Sequence, residues 1–174
     1  MSESIRKGDG ISILGIHHVG VTVNDVEVAV RFWSALLGVE PLWRRRLDGP
    51  YLGRVTGYPG IHIEAAMLPL PGGGHMEILE YQISDRSTNP EATANPGNVH
   101  LCFHSDDVAA MFARAVELGA RPVSEGPVEV TVGPNAGAVA CYLRAPDGVT
   151  IEFFQPPPGH PGSPVGVPKF EHER

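Results

Sequence analysis

The stretch GIHHVGVTVNDVEVAVRFWSALLG, residues 15–38, decides the fold because a strand-like hydrophobic segment is followed directly by one with helical spacing. Its first part is rich in β-branched residues and predicts a strand, which we place at 13–23. The apolar residues that follow recur at helical spacing, and Gly38 stands where a helix commonly ends. Asn24 or Asp25 can cap this helix at its N-terminus. The stretch therefore predicts a strand followed by an amphipathic helix.

The same order of elements returns in NVHLCFHSDDVAAMFARAVELG, residues 98–119. When His18 is aligned with His100, each histidine is followed after seven residues by an aspartate and, one helix length later, by a glycine. Each copy also ends with a glutamate inside an apolar run, Glu77 in GGGHMEILEY and Glu152 in PDGVTIEFFQ. Because such self-similarity marks a repeated structural unit, the sequence predicts two copies of one βαβββ module and an α+β fold.

Local patterns predict the remaining elements of both modules. The second helix has an apolar face, ends near Gly119, and is expected to take Ser105 or Asp106 as its N-cap. A single helix covers only one face of a four-stranded sheet, so the other face must be buried by the twin module or enclose a site. The expected strands lie near 13–23, 39–46, 60–68, 75–82, 98–104, 121–124, 137–145 and 149–155.

The chain divides into two modules and three connecting or terminal segments. We place the first module at 13–82 and the second at 98–155, joined by a polar, proline-bearing linker at 83–97. The polar residues 1–12 predict a flexible N-terminus, and the Pro/Gly-rich residues 156–174 predict a disordered tail. We therefore expect the chemistry to lie in the modules.

Charge and hydropathy exclude several classes of partner. The 174 residues carry a net charge of −7 and have a pI of about 5.5, whereas a nucleic-acid surface needs a basic stripe. No apolar run approaches the roughly 20 residues that cross a bilayer, and the N-terminus lacks the apolar region of a secretory signal. We therefore expect a cytoplasmic protein with no nucleic-acid or membrane partner.

Two further features have both a structural and a functional interpretation. Cys102 and Cys141 lie in apolar, strand-like runs without disulfide or zinc-finger spacing, so we expect buried free thiols. The basic run Arg44-Arg45-Arg46 is expected to be a solvated edge, on which alternate arginines point to opposite faces. The alternative is an anchor for an anionic substrate group such as a carboxylate or a phosphate.

Strand parity places a histidine and a glutamate of each module on one sheet face. Side chains alternate between the two faces of a strand, so His18 points away from the valines that we expect to face the helix. The same count places Glu77, His100 and Glu152 opposite their apolar neighbours. Each module therefore offers one imidazole and one carboxylate on its open face.

These four side chains predict a metal site. A carboxylate in the middle of the apolar run VTIEFF is costly to bury unless it is paired or bound to a metal. The feature occurs in both repeats, each with a strand-borne histidine, so we prefer a metal site to four unrelated polar residues. Two imidazoles and two carboxylates suit one divalent ion of Co, Ni, Zn, Mn or Fe. The expected ligands are His18, Glu77, His100 and Glu152.

The sequence resembles the vicinal oxygen chelate superfamily in four strings: IHHVGVTVND, HMEILEY, NVHLCFHSDDV and APDGVTIEFFQ. That superfamily includes glyoxalase I, methylmalonyl-CoA epimerase, extradiol dioxygenases and metal-dependent resistance proteins. The resemblance covers residues 13–155 and implies paired βαβββ modules that form a U-shaped mixed sheet around a metal, at positions that match the four expected ligands. We also expect a homodimer, with the site formed either within one chain or by module exchange between two.

The resemblance also suggests a reaction class. As the resemblance implies, the position that matches Glu77 is uncharged in extradiol dioxygenases, whereas glyoxalase I and the epimerases keep Glu or Gln there. Glu77 therefore favours the isomerase and lyase branch. The string IHIEAAMLP looks like the equivalent strand of bacterial methylmalonyl-CoA epimerases, which makes Glu64 a candidate acid/base. An exposed strand glutamate is the alternative for Glu64. We expect a metal-dependent isomerase or epimerase that abstracts a proton α to a carbonyl, with Glu152, Glu64 and Glu77 as catalytic candidates.

The substrate and the competing functions stay open at this point. We expect a small carbonyl-containing substrate, with acyl-CoA thioesters and sugar-derived ketones both compatible with the family. One alternative is an iron-dependent extradiol ring-cleavage dioxygenase in which Glu77 does not coordinate. The other is a metal-free small-molecule binding or resistance protein of the same fold, although a simple binding cup has no need of the His/Glu set.

Overall fold

The computed structural model describes residues 15–84 and 93–157. The predicted N-terminal segment 1–12 and all but the first two residues of the predicted tail 156–174 lie outside the described residues. Among the described residues, no helix has the length and apolar character needed to span a bilayer.

The first module forms a four-stranded mixed sheet with the strand order β1-β4-β3-β2. Strand β1 pairs in parallel with β4, and the other neighbours pair antiparallel. Its elements are β1 (Val19–Thr22), α1 (Val26–Leu37), β2 (Trp43–Leu47), α2 (Pro50–Thr56), β3 (Ile63–Pro69) and β4 (His75–Tyr81).

The second module repeats this arrangement with one change. Its sheet has the order β5-β9-β8-β6, again with the first and last strands parallel, while a further short strand, β7, also pairs with β8. The strand expected at 121–124 is therefore shorter, and its place along β8 is shared by two short strands. The elements are β5 (His100–His104), α3 (Val108–Glu117), β6 (Arg121–Pro122), β7 (Val128–Glu129), β8 (Val139–Arg144) and β9 (Thr150–Gln155).

The helix ends follow the sequence signals with one correction. The Asp25 side chain accepts a hydrogen bond from the Val28 N–H at 2.9 Å, and Gly38 ends α1 with a φ of 68°. In α3 the N-cap is Asp107 rather than Ser105 or Asp106. The Asp107 carboxylate accepts from the backbone N–H three residues later at 2.9 Å, as Asp25 does in α1. The aspartate that follows each histidine by seven residues is thus the cap in both modules.

Helix α2 was not expected from the sequence. Pro50 opens it with the fixed φ that suits a first helical position, and Gly57 closes it with a φ of 80°. Its Leu52 packs in a small apolar cluster with Ile61, Ile63 and Ala65. Since Ile63 and Ala65 lie on the sheet face that does not bear α1, the helix covers part of the open face of the first module.

The two modules share one hydrophobic core. A single cluster holds buried residues of α1 and β4 together with those of α3 and β9, and Trp33 of α1 lies 6.2 Å from the Phe103 ring of β5. The side chains that reach this core include Ile78 and Ile151, each 0% exposed. The α+β class and the two βαβββ modules are thus confirmed. The described strands form two mixed sheets, one in each module, with β1 and β5 as edge strands.

Candidate metal centre

The first histidine–glutamate pair lies on the open face of the first module. His18 immediately precedes β1, and Glu77 lies in β4, the strand that pairs in parallel with β1. Their Nε2 and Oε2 atoms are 3.2 Å apart, with 35% of the His18 side chain and 19% of the Glu77 side chain exposed. Glu77 stands between the buried core residues Met76 and Ile78, so its own side chain points away from the core.

His17 is a close neighbour of this pair. The sequence suggests that His17 faces the helix, but the side chain is exposed and its Nδ1 lies 2.8 Å from the His18 Nδ1. One nitrogen of the two must carry a proton. If His18 donates, its Nε2 keeps the free lone pair that a metal ligand needs, and His17 orients the ring.

The second pair occupies the matching position in the second module. The His100 Nε2 atom is 3.0 Å from the Glu152 Oε2 atom, with 44% and 16% of the side chains exposed. Glu152 lies between the buried residues Ile151 and Phe153, as Glu77 lies between buried residues in β4. Each module therefore presents one imidazole and one carboxylate in contact on its open face.

Glu152 has more neighbours than its counterpart. The Tyr142 hydroxyl donates to Glu152 Oε2 at 3.3 Å, and the Tyr142 ring packs edge-on against the His100 ring with centroids 5.3 Å apart. Cys102 pairs with Glu152 in the β5–β9 register. Tyr142 was not predicted from the sequence, although its place on β8 opposite Glu152 follows from counting residues back across the turn at 146–148.

The second pair also has the more perturbed surroundings. Partial desolvation beside Glu152, and then the charge of Glu152 and a hydrogen bond to it, raise the pKa of the Cys102 thiol to about 12. Burial and the same carboxylate raise the pKa of Tyr142. Both groups thus stay protonated at neutral pH in the metal-free protein and act as donors. Of the two expected buried thiols, Cys141 is buried, whereas Cys102 is exposed at the site because it shares the open face with His100.

The four expected ligands form two pairs and not one cluster. Among residues 15–84 and 93–157, no group of three or more His, Cys, Asp or Glu side chains lies close enough to hold a metal. The physical reason is the shared core. Glu77 and Glu152 each alternate with residues of that core, so the two open faces are turned away from it. The donors are of the kind that divalent ions take, but within the described residues each pair supplies two of them and the pairs do not meet.

Glu64 lies on the other face of the first sheet. In the β3–β4 register it stands opposite Glu80, and in the β2–β3 register opposite Arg46, whereas Glu77 stands opposite Met67. Residues paired across antiparallel strands share a face, so the sheet separates Glu64 from Glu77. The expected acid/base role of Glu64 is not supported by this placement. Strand parity alone did not decide its face because the register was unknown.

The comparisons with known proteins agree with this architecture. Residues 15–153 match the family model of the Glyoxalase/Bleomycin resistance protein/Dioxygenase superfamily. The chain is 31% identical over 160 residues to a 2-epi-5-epi-valiolone epimerase from Actinomyces sp, with 88% of this chain and 86% of the relative covered. Both matches extend over the two α+β modules of the structure.

Solved structures show the same fold. A glyoxalase family protein from Bacillus cereus superposes with a TM-score of 0.71 at 25% identity, covering 87% of this chain and 99% of that one. The fosfomycin resistance protein FosX from Listeria monocytogenes, solved with Mn(II) and sulfate, superposes with a TM-score of 0.52 at 16% identity, covering 83% and 93%. The chain therefore belongs to the Glyoxalase/Bleomycin resistance protein/Dioxygenase superfamily.

Proposed function

We propose that the protein is a metal-dependent isomerase or epimerase that abstracts a proton α to a carbonyl. The observation that carries this proposal is the pair of matching contacts, His18 with Glu77 and His100 with Glu152, at equivalent strand positions of the two modules. The 31% identity to an epimerase over most of both chains favours this reaction over oxygenation or simple binding.

We propose further that two chains complete each metal site. His18 and Glu77 of one protomer would hold the ion together with His100 and Glu152 of the partner subunit. The open faces of the two modules are turned away from their common core, so the two pairs of one chain cannot meet without taking that core apart. A symmetric dimer joins the first face of each chain to the second face of the other, which gives two equal sites.

The two carboxylates differ in their freedom to carry a proton. A divalent ion in this position would polarise the substrate carbonyl as a Lewis acid and so acidify the adjacent C–H. Glu152 is held by His100 and by the hydroxyl of Tyr142. Glu77 has His18 as its polar contact in the described structure. We therefore assign the abstraction to Glu77, which can turn toward the substrate, and the return of the proton on the opposite side to Glu152.

A solvent-exchange experiment tests the reaction class. Metal-reconstituted protein in deuterium oxide should exchange the hydrogen next to the carbonyl in at least one compound of a panel of small ketones, oxo acids and acyl-CoA thioesters. Exchange should require the metal but no oxygen, and Glu77→Gln should abolish it while Glu64→Gln leaves it unchanged. Consumption of oxygen with a catechol and ferrous iron, without exchange, would instead establish the dioxygenase.

A further inference from the structure

The three consecutive arginines of β2 have different partners. The Arg44 guanidinium donates to the Glu27 carboxylate at 2.8 Å, and the Arg46 Nε lies 3.8 Å from the Asp48 carboxylate. Arg45 has no carboxylate within reach in the part of the chain that the structure describes. Its guanidinium carbon lies instead 4.1 Å from the centre of the Trp43 ring.

Arg45 lies on the same sheet face as Glu77. Trp43 is paired with Met67 across β2 and β3, and Met67 is paired with Glu77 across β3 and β4, so these three side chains form one row. Arg45 follows Trp43 by two residues and is therefore on that face. Arg44 and Arg46 project to the opposite face, which bears α1. The arginine without an acidic partner is thus the one that faces the candidate site.

The surroundings of Arg45 favour a bound anion. Its register neighbour Ala65 is 2% exposed, and Leu79 and Met67 are the next side chains on that face, so its near neighbours along the sheet are apolar. The Trp43 ring holds the guanidinium by a cation–π contact and leaves the edge donors free. A planar, pre-oriented fork of donors beside apolar side chains matches a carboxylate or a phosphate.

We propose that Arg45, held on Trp43, binds an anionic group of the substrate, a carboxylate or a phosphate, while the reacting carbon lies at Glu77. This inference rests on the proposed function, since that function places the reaction on the Glu77 face. Strands β2 and β4 are two strand spacings apart, about 10 Å, and the Arg45 guanidinium lies over Trp43, the residue of β2 in the same row as Glu77. The substrate class is therefore a compact carbonyl compound that bears one oxyanion.

Anion titrations of the metal-free protein test this proposal. Inorganic phosphate and acetate are added separately to full-length protein in chelator, and Trp43 fluorescence reports binding, because the other tryptophan, Trp33, is 0% exposed. At least one anion should bind saturably. Arg45→Gln should raise its Kd about tenfold, the loss expected for a charge-assisted pair, and Arg45→Lys should recover part of the affinity. Arg46→Gln removes the same charge from the opposite face and should leave the Kd within about twofold of wild type.

The outcomes separate the two proposals. Arg45-dependent binding of phosphate alone identifies a phosphorylated substrate, and binding of acetate alone identifies a carboxylic acid. Absence of binding for both anions, or an equal loss in Arg45→Gln and Arg46→Gln, overturns the anion subsite. Metal binding and deuterium exchange are measured separately. An absence of deuterium exchange therefore leaves the anion titration interpretable, and an absence of anion binding leaves the exchange experiment interpretable.

Discussion

The two histidine–glutamate pairs, His18 with Glu77 and His100 with Glu152, form the two half-sites of the chain. They occupy equivalent positions in their sheets, but their carboxylates have different hydrogen-bond partners. In the first module the neighbours of Glu77 in the sheet register are Gly20 and Met67, and neither side chain donates a hydrogen bond. In the second module the corresponding neighbours of Glu152 are Cys102 and Tyr142, and Tyr142 donates one. The two modules thus share the His–Glu contact, and Glu152 has in addition the hydrogen bond from Tyr142.

The walls around the half-sites differ as well. In the first module α2 packs Leu52 onto the open face, in the apolar cluster against which Trp43 also packs, and Arg45 lies on the Trp43 ring. The second module has no corresponding helix in the described residues, and β6 and β7 share the edge of β8. The two modules therefore differ in what covers the open face beside the carboxylate, a helix in the first and short strands at the sheet edge in the second.

The largest expected effect concerns the core that the modules share. Ile78→Ala and Ile151→Ala each remove an isoleucine side chain that is 0% exposed and adjoins a site glutamate, one in each module. Each should lower the free energy of unfolding by about 2–5 kcal/mol, within one cooperative transition because both side chains belong to one core. Denaturant unfolding followed by fluorescence and by circular dichroism measures this. Val55→Ala, at a residue 78% exposed, is the control. Two separate transitions would show that the modules fold independently.

The next effect tests the unequal support of the carboxylates. Tyr142→Phe removes the hydroxyl that donates to Glu152 but keeps the ring against His100, so metal affinity should fall about tenfold, the lower end for loss of a ligand's hydrogen-bond partner. Met67→Leu at the matched position of the first module should leave the affinity unchanged. Competition with a chromogenic chelator measures both. Equal effects of the two substitutions would mean that the half-sites are supported alike.

The smallest effect concerns the contact between the β8–β9 turn and the first module. Asp147 Oδ1 accepts from the Asn24 N–H at 3.0 Å, while the buried Oδ2 has no partner in the described structure. Burial raises the pKa of Asp147, with the charges of Asp25 and Glu80 adding to this. The folded state therefore binds the proton more tightly than the unfolded state, and this carboxyl contributes more stability as the pH falls through its raised pKa.

Substitution of Asp147 removes this pH dependence. Asp147→Asn keeps the acceptor for Asn24 and removes the charge, so at neutral pH its melting temperature should equal or slightly exceed that of wild type. On acidification the melting temperature of wild type should rise relative to that of Asp147→Asn. This change should level off below the ordinary aspartate pKa of about 3.9. Melting curves from pH 7 to pH 3 follow it. A constant difference across that range would contradict the raised pKa.

The sequence predicted what depends on local pattern. Alternation and helical spacing gave the two modules, and the Asp25 and Gly38 signals gave the ends of α1, because capping is a local interaction. Parity also placed Glu77 and Glu152 opposite their apolar neighbours, since each adjoins residues of the core. The histidine–glutamate contacts followed from pairing the first and last strands of a module.

Features that depend on register and on module packing could not be predicted in this way. Pairing of Met67 with Glu77 places Glu64 on the other face, and no local signal sets that register. Helix α2 is too short for a helical period to emerge, and Gly53 lies in its middle. How the open faces lie relative to one another depends on contacts such as Trp33 with Phe103, which join residues far apart in sequence.

A subunit-mixing measurement tests the central claim that two chains complete one metal site. His18→Ala and His100→Ala proteins should each lose tight metal binding, because every site in either homodimer lacks one imidazole. After the two are unfolded, mixed in equal amounts and refolded together, half of the dimers should be mixed, and each should contain one site with both histidines. Metal capacity should then return to about a quarter of the wild-type value, as expected for random pairing in a symmetric dimer. If the mixture binds no more metal than the separate variants, the site forms within one chain and the account is wrong.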